Sequence, residues 1–471
     1  MARAFEGRAA PRCNDRAALF MPSKLILLLR SLRIVLAFAW IPLRFLGRLL
    51  THEGAADAAT QEHWWGELLA SALESLGASF VKFGQILGSR PDLLPPGVIA
   101  SLARLQDNVA AVPFAHLEPV LREAWGAEFD AVQVHAAPLA AASVAQVHEG
   151  RLPDGTRIAI KIQRPLAREQ IERDLVLMRV FARVVDRIPS VHLLSLPGSV
   201  ERFGNALHAQ LDFRVEAANN ARFKRNFAGA ERNRKTRLPS IRFPEVIDAY
   251  SSERVLTMVF VEGTKATHPE AVGAHMSEAE RLLARADLAA RGGRAILKMV
   301  FEDGFVHADL HPGNILLGED GVMTFLDLGL VAEIPSDMMR PWVDTFTALA
   351  QRDGKRAAEL FYGYAPSESV TDYDAYERDV SAYLETLYGV LLAEVEVSAA
   401  VSGMMNLLRQ HRVQIDPVFT VVNVALLVAE GLGKQLDPSV DLVLLAVPFL
   451  LSAQLSAPPG RAMSRQPPAR N

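Results

Sequence analysis

Two short runs of alternating or β-branched residues occupy Val144–Ile162, reading VAQVHEGRL and TRIAIKI, with Pro-Asp-Gly between them. A period of two gives each run one face for a core and another for solvent or a cleft, while Pro-Asp-Gly favours a tight turn. This pattern predicts a β-hairpin in which Lys161 lies near the end of the second strand.

A period near 3.6 runs through Leu76–Pro96 and predicts a helix with two unlike faces. The apolar stripe consists of Leu76, Phe80, Phe83 and Leu87, and the polar side of Lys82, Gln85 and Ser89. The pattern alone favours a solvated polar face over a fixed polar pair formed by Lys82 and Gln85. A second predicted helix, Gln210–Asn219, places Asp212, Glu216 and Asn219 on one face.

The chain has 471 residues, which exceeds the usual size of one hydrophobic core and predicts two lobes with flanking helical segments. Hydrophobic residues make up 50% of the chain and the net charge is −4 at pH 7, which excludes a disordered protein and makes nucleic acid an unexpected partner. Cys13 is the single cysteine, so neither an internal disulfide nor a cysteine-based zinc site is available.

Both ends of the chain raise the question of membrane contact. Residues 1–60 are basic, and their longest apolar run, Ile34–Leu43, is about half the length that spans a bilayer. Such a segment lies in the headgroup region of a membrane or docks on the protein itself, and both interpretations stay open. Val440–Leu455 is predicted to be a buried or interfacial helix rather than a membrane anchor, and the Pro-rich residues 456–471 are predicted to be disordered.

Candidate chemistry begins with Asp309 and Asn314, which lie five positions apart, and with Asp327, which follows the apolar run MTFL. Phosphoryl transfer needs metal ions that bridge phosphates, and a carboxylate plus an amide oxygen are minimal protein ligands for Mg²⁺. Asn314 and Asp327 are therefore the predicted metal ligands. Asp309 is predicted to position or deprotonate an acceptor hydroxyl or water. Alternatively, Asp309, Asn314 and Asp327 could belong to three polar turns that have no shared function. Because all three follow Lys161 in the order found in kinases, the functional interpretation is favoured.

Lys161 closes the sequence Ile-Ala-Ile-Lys, which is similar to the V-A-I-K strand of protein kinases. Glu216 is the candidate partner that holds this lysine, with a solvated helix face as the alternative. In protein kinases the loop before the lysine strand is rich in glycine. In this chain the corresponding loop contains Ala140, Ala141, Ala142 and Ser143. Methyl groups restrict φ, so the loop is expected to be stiffer and the preference between ADP and ATP to be altered.

The ordered combination of these motifs resembles the UbiB/AarF family of atypical kinases. The motifs are Lys82-Phe83-Gly84-Gln85, the alanine-rich loop, Lys161, Glu216 and the set Asp309, Asn314 and Asp327. The resemblance covers roughly Glu74 to Pro438. It implies an α+β, bilobal protein-kinase-like fold with an N-terminal helical K-x-G-Q extension and a mostly helical C-lobe. The predicted segments are 1–60 for the basic region, 61–128 for the extension, 129–261 for the N-lobe, 262–455 for the C-lobe and 456–471 for the tail.

The resemblance also implies a site. Lys82 and Gln85 would point into a nucleotide pocket, and Met258 and the alanine-rich loop would contact the nucleotide. Lys161 would pair with Glu216. Three positions depart from the family pattern: Gln210 replaces the Glu of an acidic pair whose Asp212 would engage Lys82, Leu328 replaces the common Phe of Asp-Phe-Gly, and Val259 replaces a frequent hinge Glu.

The implied function is binding of ATP or ADP with Mg²⁺ and an ATPase activity that supports ubiquinone biosynthesis or related isoprenoid-lipid metabolism. The expected location is the cytoplasmic face of a membrane, with a lipid or quinone precursor and other lipid-biosynthesis proteins as partners. One alternative is a small-molecule phosphotransferase, because His307–Asn314 is also similar to the catalytic loop of aminoglycoside and choline kinases. Another alternative is a nucleotide-gated lipid-binding scaffold without turnover.

Overall fold

The computed structural model describes residues 31–34, 36–37, 58–88, 94–102, 104–105, 111–187, 196–228, 241–274, 276–318, 321–366, 368–386, 397–456 and 460–466. The basic region predicted over residues 1–60 lies almost wholly outside this described part, as do Cys13 and Ser89. The described residues form a mixed α+β structure, which confirms the predicted fold class.

The elements follow one another in a helical, then mixed, then helical order. The helices are α1 (Ala58–Leu76), α2 (Ala78–Gly88), α3 (Pro96–Leu102), α4 (Phe114–Trp125), α5 (Ala167–Val185), α6 (Leu196–Gln210), α7 (Phe213–Ala228), α8 (Glu278–Phe301), α9 (Ser336–Ala350), α10 (Gly354–Tyr364), α11 (Tyr373–Thr386), α12 (Val397–Gln410), α13 (Pro417–Leu436) and α14 (Leu442–Ser456). The strands are β1 (Gln133–Ala141), β2 (Ala145–Arg151), β3 (Arg157–Gln163), β4 (Ile241–Arg242), β5 (Val255–Val259), β6 (Thr264–Lys265), β7 (Phe305–His307), β8 (Ile315–Leu317), β9 (Met323–Phe325) and β10 (Val331–Glu333).

The N-terminal lobe is built on an antiparallel sheet with strand order β1-β2-β3-β5. The predicted hairpin is confirmed as β2 and β3, with His148 opposite Ile160. Ile160 is fully buried in a core that β3 shares with Leu117 and Leu121 of α4. Because side chains alternate between the faces of a strand, Lys161 lies on the other face of the sheet.

The helical extension, α1 to α3, packs on α5 and α6. Leu76 and Phe80 are buried in this shared core. The prediction of one helix beginning at Leu76 is wrong at its start, because Gly77 has φ of +94° and separates α1 from α2. Glycine adopts this left-handed conformation without the steric cost that a side chain brings, and such a residue commonly ends a helix.

The predicted single helix Gln210–Asn219 is also interrupted. Helix α6 ends at Gln210 and α7 begins at Phe213, with Asp212 between them. The Asp212 carboxylate accepts hydrogen bonds from the backbone nitrogen, Nε and Nη2 of Arg214, at 3.0, 2.8 and 2.7 Å. An aspartate at a helix start satisfies free backbone N–H groups, so Asp212 marks the start of a new helix rather than the face of a continuing one.

The C-terminal lobe comprises β4, β6 to β10 and α8 to α14, and α8 runs through its core. A capping box starts α8, in which Ser277 Oγ accepts from the Glu280 nitrogen and Glu280 Oε2 accepts from the Ser277 nitrogen. Strand order in its larger sheet is β4-β9-β8-β6, while β7 pairs with β10. These short strands place the turns after β7 and β9 next to the N-terminal part of the chain, where Asp309 contacts Lys82 and Asp327 contacts Lys161.

The final helix, α14, is apolar on both sides. Phe449 and Ala453 are buried against the C-terminal lobe, whereas Leu444, Leu451 and Leu455 are 68%, 57% and 91% exposed. Within the described part of the chain, no helix combines the length and the apolar character needed to cross a bilayer.

Residues 460–466 fall in the segment that the sequence predicts to be disordered, but they contact the C-terminal lobe. The backbone nitrogen of Arg461 donates to the Asp337 carbonyl and that of Ser464 to the Gly363 carbonyl, both at 2.9 Å. The disorder prediction is therefore wrong for residues 460–466, because their hydrogen-bond acceptors lie on α9 and α10 and cannot be read from local composition.

Gly354 allows α10 and α11 to touch, and we expect Gly354→Ala to lower the free energy of unfolding by about 1–3 kcal/mol. A Cβ atom at this position would lie 2.4 Å from the Cα atom of Ser381, so backbone has to move. Chemical denaturation measures the change. Gly431→Ala in α13 is the matched control, because its Cβ would meet nothing within 4 Å. The control is expected to be stabilising by up to about 1 kcal/mol, and equal effects of the two substitutions would contradict the packing argument.

Candidate active site

One face of the N-terminal sheet presents a row of residues to the space between the lobes. Ala140 pairs with Val147, Val147 with Lys161, and Lys161 with Leu256, so these four side chains share one face. Met258 lies on the same face, opposite Ala159. The predicted nucleotide residues Ala140, Lys161 and Met258 are thus on one surface.

The alanine-rich loop forms the tight turn between β1 and β2. Ala141 pairs with Gln146, and the Ala142 nitrogen donates to the Ala145 carbonyl at 2.8 Å, which leaves Ser143 at the tip of the turn. This turn closes directly onto the row that contains Lys161.

Lys161 is bound by two carboxylates, one of which belongs to the C-terminal lobe. Its Nζ donates to Glu216 Oε2 of α7 at 2.8 Å and to Asp327 Oδ1, which follows β9, also at 2.8 Å. The Lys161 and Glu216 side chains are 13% and 7% exposed. The predicted Lys161–Glu216 pair is therefore present in the structure, and Asp327 is brought to the same ammonium group.

The three charges have unequal pKa values. Burial raises the pKa of Glu216 to about 6, because the attraction of Lys161 only partly offsets lost solvation and the Asp327 charge adds to the rise. Desolvation would raise the pKa of Asp327, although its side chain keeps 44% of its surface exposed, but the Lys161 ammonium outweighs this and lowers the value to about 2. Burial would lower the pKa of Lys161, and the two carboxylates raise it instead. Asp327 is thus the more firmly ionised of the two carboxylates.

The raised pKa of Glu216 gives a stability prediction. Folded Glu216 binds its proton more tightly than the unfolded group, whose pKa is 4.5, so its contribution is present below pH 4.5 and is lost as the pH rises through 6. Relative to Glu216→Gln, the wild-type protein should lose about 2 kcal/mol of unfolding free energy across this window. Denaturation at a series of pH values tests this. The exposed Glu385→Gln serves as control, and parallel pH curves for wild type and Glu216→Gln would contradict the assignment.

Asp309 and Asn314 lie on one loop after β7. Asn314 Nδ2 donates to the Asp309 carbonyl at 3.1 Å, and the Leu326 nitrogen donates to the Asn314 carbonyl at 2.7 Å. These bonds connect the loop to the end of β9, which leads into Asp327. The predicted metal ligands Asn314 and Asp327 are therefore held by adjoining backbone segments.

His307, which the sequence analysis did not select as a site residue, contacts the backbone of Asp309. Its Nδ1 lies 3.2 Å from the Asp309 nitrogen, which can only donate, and its Nε2 lies 3.0 Å from the Leu326 carbonyl. The proton is therefore assigned to Nε2. Burial lowers the pKa of His307, which favours this neutral form. In the sequence, only its position two residues before Asp309 could have indicated that His307 belongs to the site.

The turn after β9 is closely fitted. Asp327 has φ of +51°, a left-handed conformation that aspartate tolerates better than most residues. Asn219 Nδ2 donates to the Leu328 carbonyl at 2.9 Å, which fastens the turn to α7. A Cβ atom on Gly329 would lie 3.2 Å from Glu216 Oε2, so the missing side chain keeps space for that carboxylate. Leu328, where the family has Phe, is buried in the C-terminal core.

The two predicted polar residues of α2 have different surroundings. Lys82 Nζ donates to Asp309 Oδ2 at 3.0 Å, and the Lys82 side chain is only 12% exposed. Lys82 is therefore held by Asp309 rather than solvated. Gln85 Nε2 donates to the Leu105 carbonyl at 3.0 Å, and no hydrogen bond within the described residues joins it to another predicted site residue.

The donor atoms fit a magnesium ion that is shared with a ligand. Asp327 offers an ionised carboxylate and Asn314 an amide oxygen, while the Asn314 Nδ2 group is already used. Among the described residues, no group of three or more His, Cys, Asp or Glu side chains could hold a metal alone. Mg²⁺ commonly takes one or two protein oxygens and completes its octahedron with phosphates and water.

A separate cavity of about 950 Å³ lies between α7, β4 and β6. Its described lining includes Lys224, Phe243 and Glu262 but none of the predicted site residues. Residues 229–240 adjoin it in sequence and lie outside the described part of the chain.

Comparison with known proteins identifies the family. The model of the ABC1 atypical kinase-like domain matches residues 104–361, which is more than half of the chain. This chain belongs to the ABC1 atypical kinase-like family. The model of the UbiB helical domain matches residues 380–441, a range that includes α12 and α13. The resemblance stated from the motifs is confirmed.

Relatives of this ABC1 chain include the "Probable protein kinase UbiB" of Vibrio parahaemolyticus, which is 34% identical over 402 residues, covering 82% of this chain and 70% of the relative. The protein of the same name from Aeromonas hydrophila is 33% identical over 395 residues, covering 82% and 69%. A solved structure of Rv3197 with erythromycin from Mycobacterium tuberculosis aligns with a TM-score of 0.45 and 21% identity, covering 85% of this chain and 98% of the other.

Proposed function

We propose that the protein binds ATP or ADP with Mg²⁺ between its lobes and hydrolyses ATP, in support of ubiquinone biosynthesis or related isoprenoid-lipid metabolism at a membrane. The observation that carries this proposal is the convergence of Glu216 and Asp327 on Lys161, each at 2.8 Å, in a chain of the ABC1 family. The lysine would neutralise phosphate charge, and Asn314 and Asp327 would hold the metal that bridges the phosphates.

The remaining residues take roles by position. Ala140, Ala141, Ala142 and Ser143 would cover the phosphates from the β1–β2 turn, and Met258 would contact the adenine from β5. Asp309 would orient the attacking water. Lys82 already contacts the Asp309 carboxylate, which restricts the room for a large acceptor and favours water over a peptide. Gln85 would act on the pocket through the Leu105 segment that it holds.

A membrane location is supported by α14, which exposes Leu444, Leu451 and Leu455 while its other side is buried. An apolar helix face of this kind is stabilised at the boundary between headgroups and acyl chains. We place the protein as a peripheral protein on the cytoplasmic face, where nucleotide is present.

The test is Mg²⁺-dependent ATP hydrolysis by the purified full chain, with and without anionic liposomes. Turnover that requires Mg²⁺ and rises with liposomes is the expected result. Nucleotide binding without turnover under both conditions would contradict the ATPase proposal. Turnover that liposomes leave unchanged would contradict the membrane part alone.

The alanine-rich turn gives a second measurable expectation. Replacing Ala140, Ala141 and Ala142 together with glycine should loosen the turn and shift the ratio of ATP to ADP affinity by about tenfold, which corresponds to about 1.4 kcal/mol. Titration calorimetry with each nucleotide measures the ratio. Ala136→Gly, at an exposed position of β1 outside the turn, controls for general loosening of the sheet. Unchanged affinities in the triple variant would refute a special role for alanine.

A further inference from the structure

A second cavity lies inside the C-terminal lobe and is bounded by residues of α8 to α14. Its volume is about 170 Å³, and its described wall is mostly apolar, with the aromatic side chains of Phe301, Trp342, Phe346 and Phe419. An engineered apolar cavity of about 150 Å³ in another protein is known to bind benzene, so this space accommodates one ring.

Two polar groups in the wall of this cavity lack good hydrogen-bond partners. Asn423 is 5% exposed, and its hydrogen bond within the described part of the chain is to Met405 Sδ at 3.8 Å. A thioether is a weak acceptor. Trp342 is 2% exposed, and its Nε1 has no partner among the described residues. Burying such donors without an acceptor is destabilising, so a ligand that supplies one would be bound favourably.

The two donors belong to the same part of the wall. The rings of Trp342 and Phe419 are 4.6 Å apart between centroids. Asn423 follows Phe419 by four residues on α13, which places the two side chains on one side of that helix. Trp342 and Asn423 therefore both lie beside Phe419 in the cavity wall. Arg352 is the only charged residue in the described wall and is partly exposed, so the interior is suited to an uncharged ligand.

We propose that this cavity binds an uncharged ligand of single-ring size, consisting of an apolar ring or branched carbon skeleton with one carbonyl or hydroxyl oxygen. The oxygen accepts hydrogen bonds from Trp342 Nε1 and Asn423 Nδ2, and the carbon skeleton fills the space between the aromatic side chains. A mostly apolar cavity with a few placed polar groups is typical of small-molecule sites. The site is separate from the cleft at Lys161 and does not depend on nucleotide binding there.

The test uses two probes of equal shape, acetophenone and α-methylstyrene, in which a CH₂ group replaces the carbonyl oxygen. Each is titrated calorimetrically into the purified full chain without nucleotide. Acetophenone is expected to bind about tenfold more tightly, which corresponds to about one hydrogen bond of net stabilisation. Asp327→Asn should leave both affinities unchanged, which separates this result from the proposed ATPase.

Trp342→Phe and Asn423→Leu each remove one donor while keeping most of the side-chain volume. In the double variant the preference for acetophenone should disappear while α-methylstyrene still binds, which also shows that the cavity is intact. Trp125→Phe is the control, because its Nε1 donates to the Tyr250 carbonyl in the N-terminal lobe. Equal affinities in the wild type, a preference that survives in the double variant, or no binding of either probe to the wild type would overturn the proposal.

Discussion

Asp327→Asn should lower Mg²⁺-dependent ATP turnover by at least about 100-fold, because a metal ion held in place contributes several kcal/mol to transition-state stabilisation. The wild-type carboxylate is ionised, since Lys161 lowers its pKa to about 2. An amide keeps the shape but removes the charge that would bind Mg²⁺ and that pairs with Lys161 at 2.8 Å. Steady-state hydrolysis over a range of Mg²⁺ concentrations measures the effect.

The control for this substitution is Asp374→Asn on α11, where the aspartate is exposed and distant in sequence from the site. It should leave turnover unchanged. Circular dichroism should be used to check that each variant is folded, because loss of the Lys161–Asp327 contact also weakens the interface between the lobes. A folded Asp327→Asn protein with near wild-type turnover would remove Asp327 from the metal site and would count against the proposed chemistry.

Phe223→Ala should lower the free energy of unfolding by about 3–5 kcal/mol, the range for removing a buried phenylalanine ring. Phe223 on α7 is fully buried and contacts two further rings, Phe243 at 5.2 Å and Phe305 at 4.8 Å between centroids. Because Phe305 begins the strand that leads to Asp309, the substitution leaves a cavity next to the strand before the Asp309 loop. Chemical denaturation followed by tryptophan fluorescence measures the loss.

Leu283→Ala on α8 is the companion variant, because Leu283 is 73% exposed. Its effect should stay within about 0.5 kcal/mol, as for most surface substitutions. Phe223→Leu should lose less than Phe223→Ala because it retains more buried volume. Similar losses for Phe223→Ala and Leu283→Ala would show that the three rings do not form a cooperative core.

The parts of the fold that were predictable are those with a local period. Alternation along Val144–Ile162 predicted the β2–β3 hairpin, since a strand buries every second residue whatever lies behind it. The order of Lys161, Asp309, Asn314 and Asp327 predicted that the chain would bring them to one site. The structure brings Lys161 to Asp327 directly and links Asn314 to the segment before Asp327.

The parts that were not predictable depend on partners distant in sequence. Gln146 and His148 occupy positions where alternation calls for apolar residues, yet both are fully buried. Gln146 bonds to the Val112 backbone and His148 to the His135 carbonyl, so each buried polar group is satisfied by a backbone group that no periodicity shows. For the same reason, the partner of Gln85 was unknown until the Leu105 carbonyl was placed.

The contact between Lys82 and Asp309 spans 227 residues, whereas the core that holds α1 and α2 ends at Leu211. At about 5–20 residues per second, synthesis of the chain between Leu211 and Asp309 takes roughly 5–20 s. The N-terminal helices can therefore pack with α5 and α6 while the chain is still on the ribosome and Asp309 has yet to be made. When the loop that carries Asp309 emerges and folds, it does so against an ammonium group that is already in position.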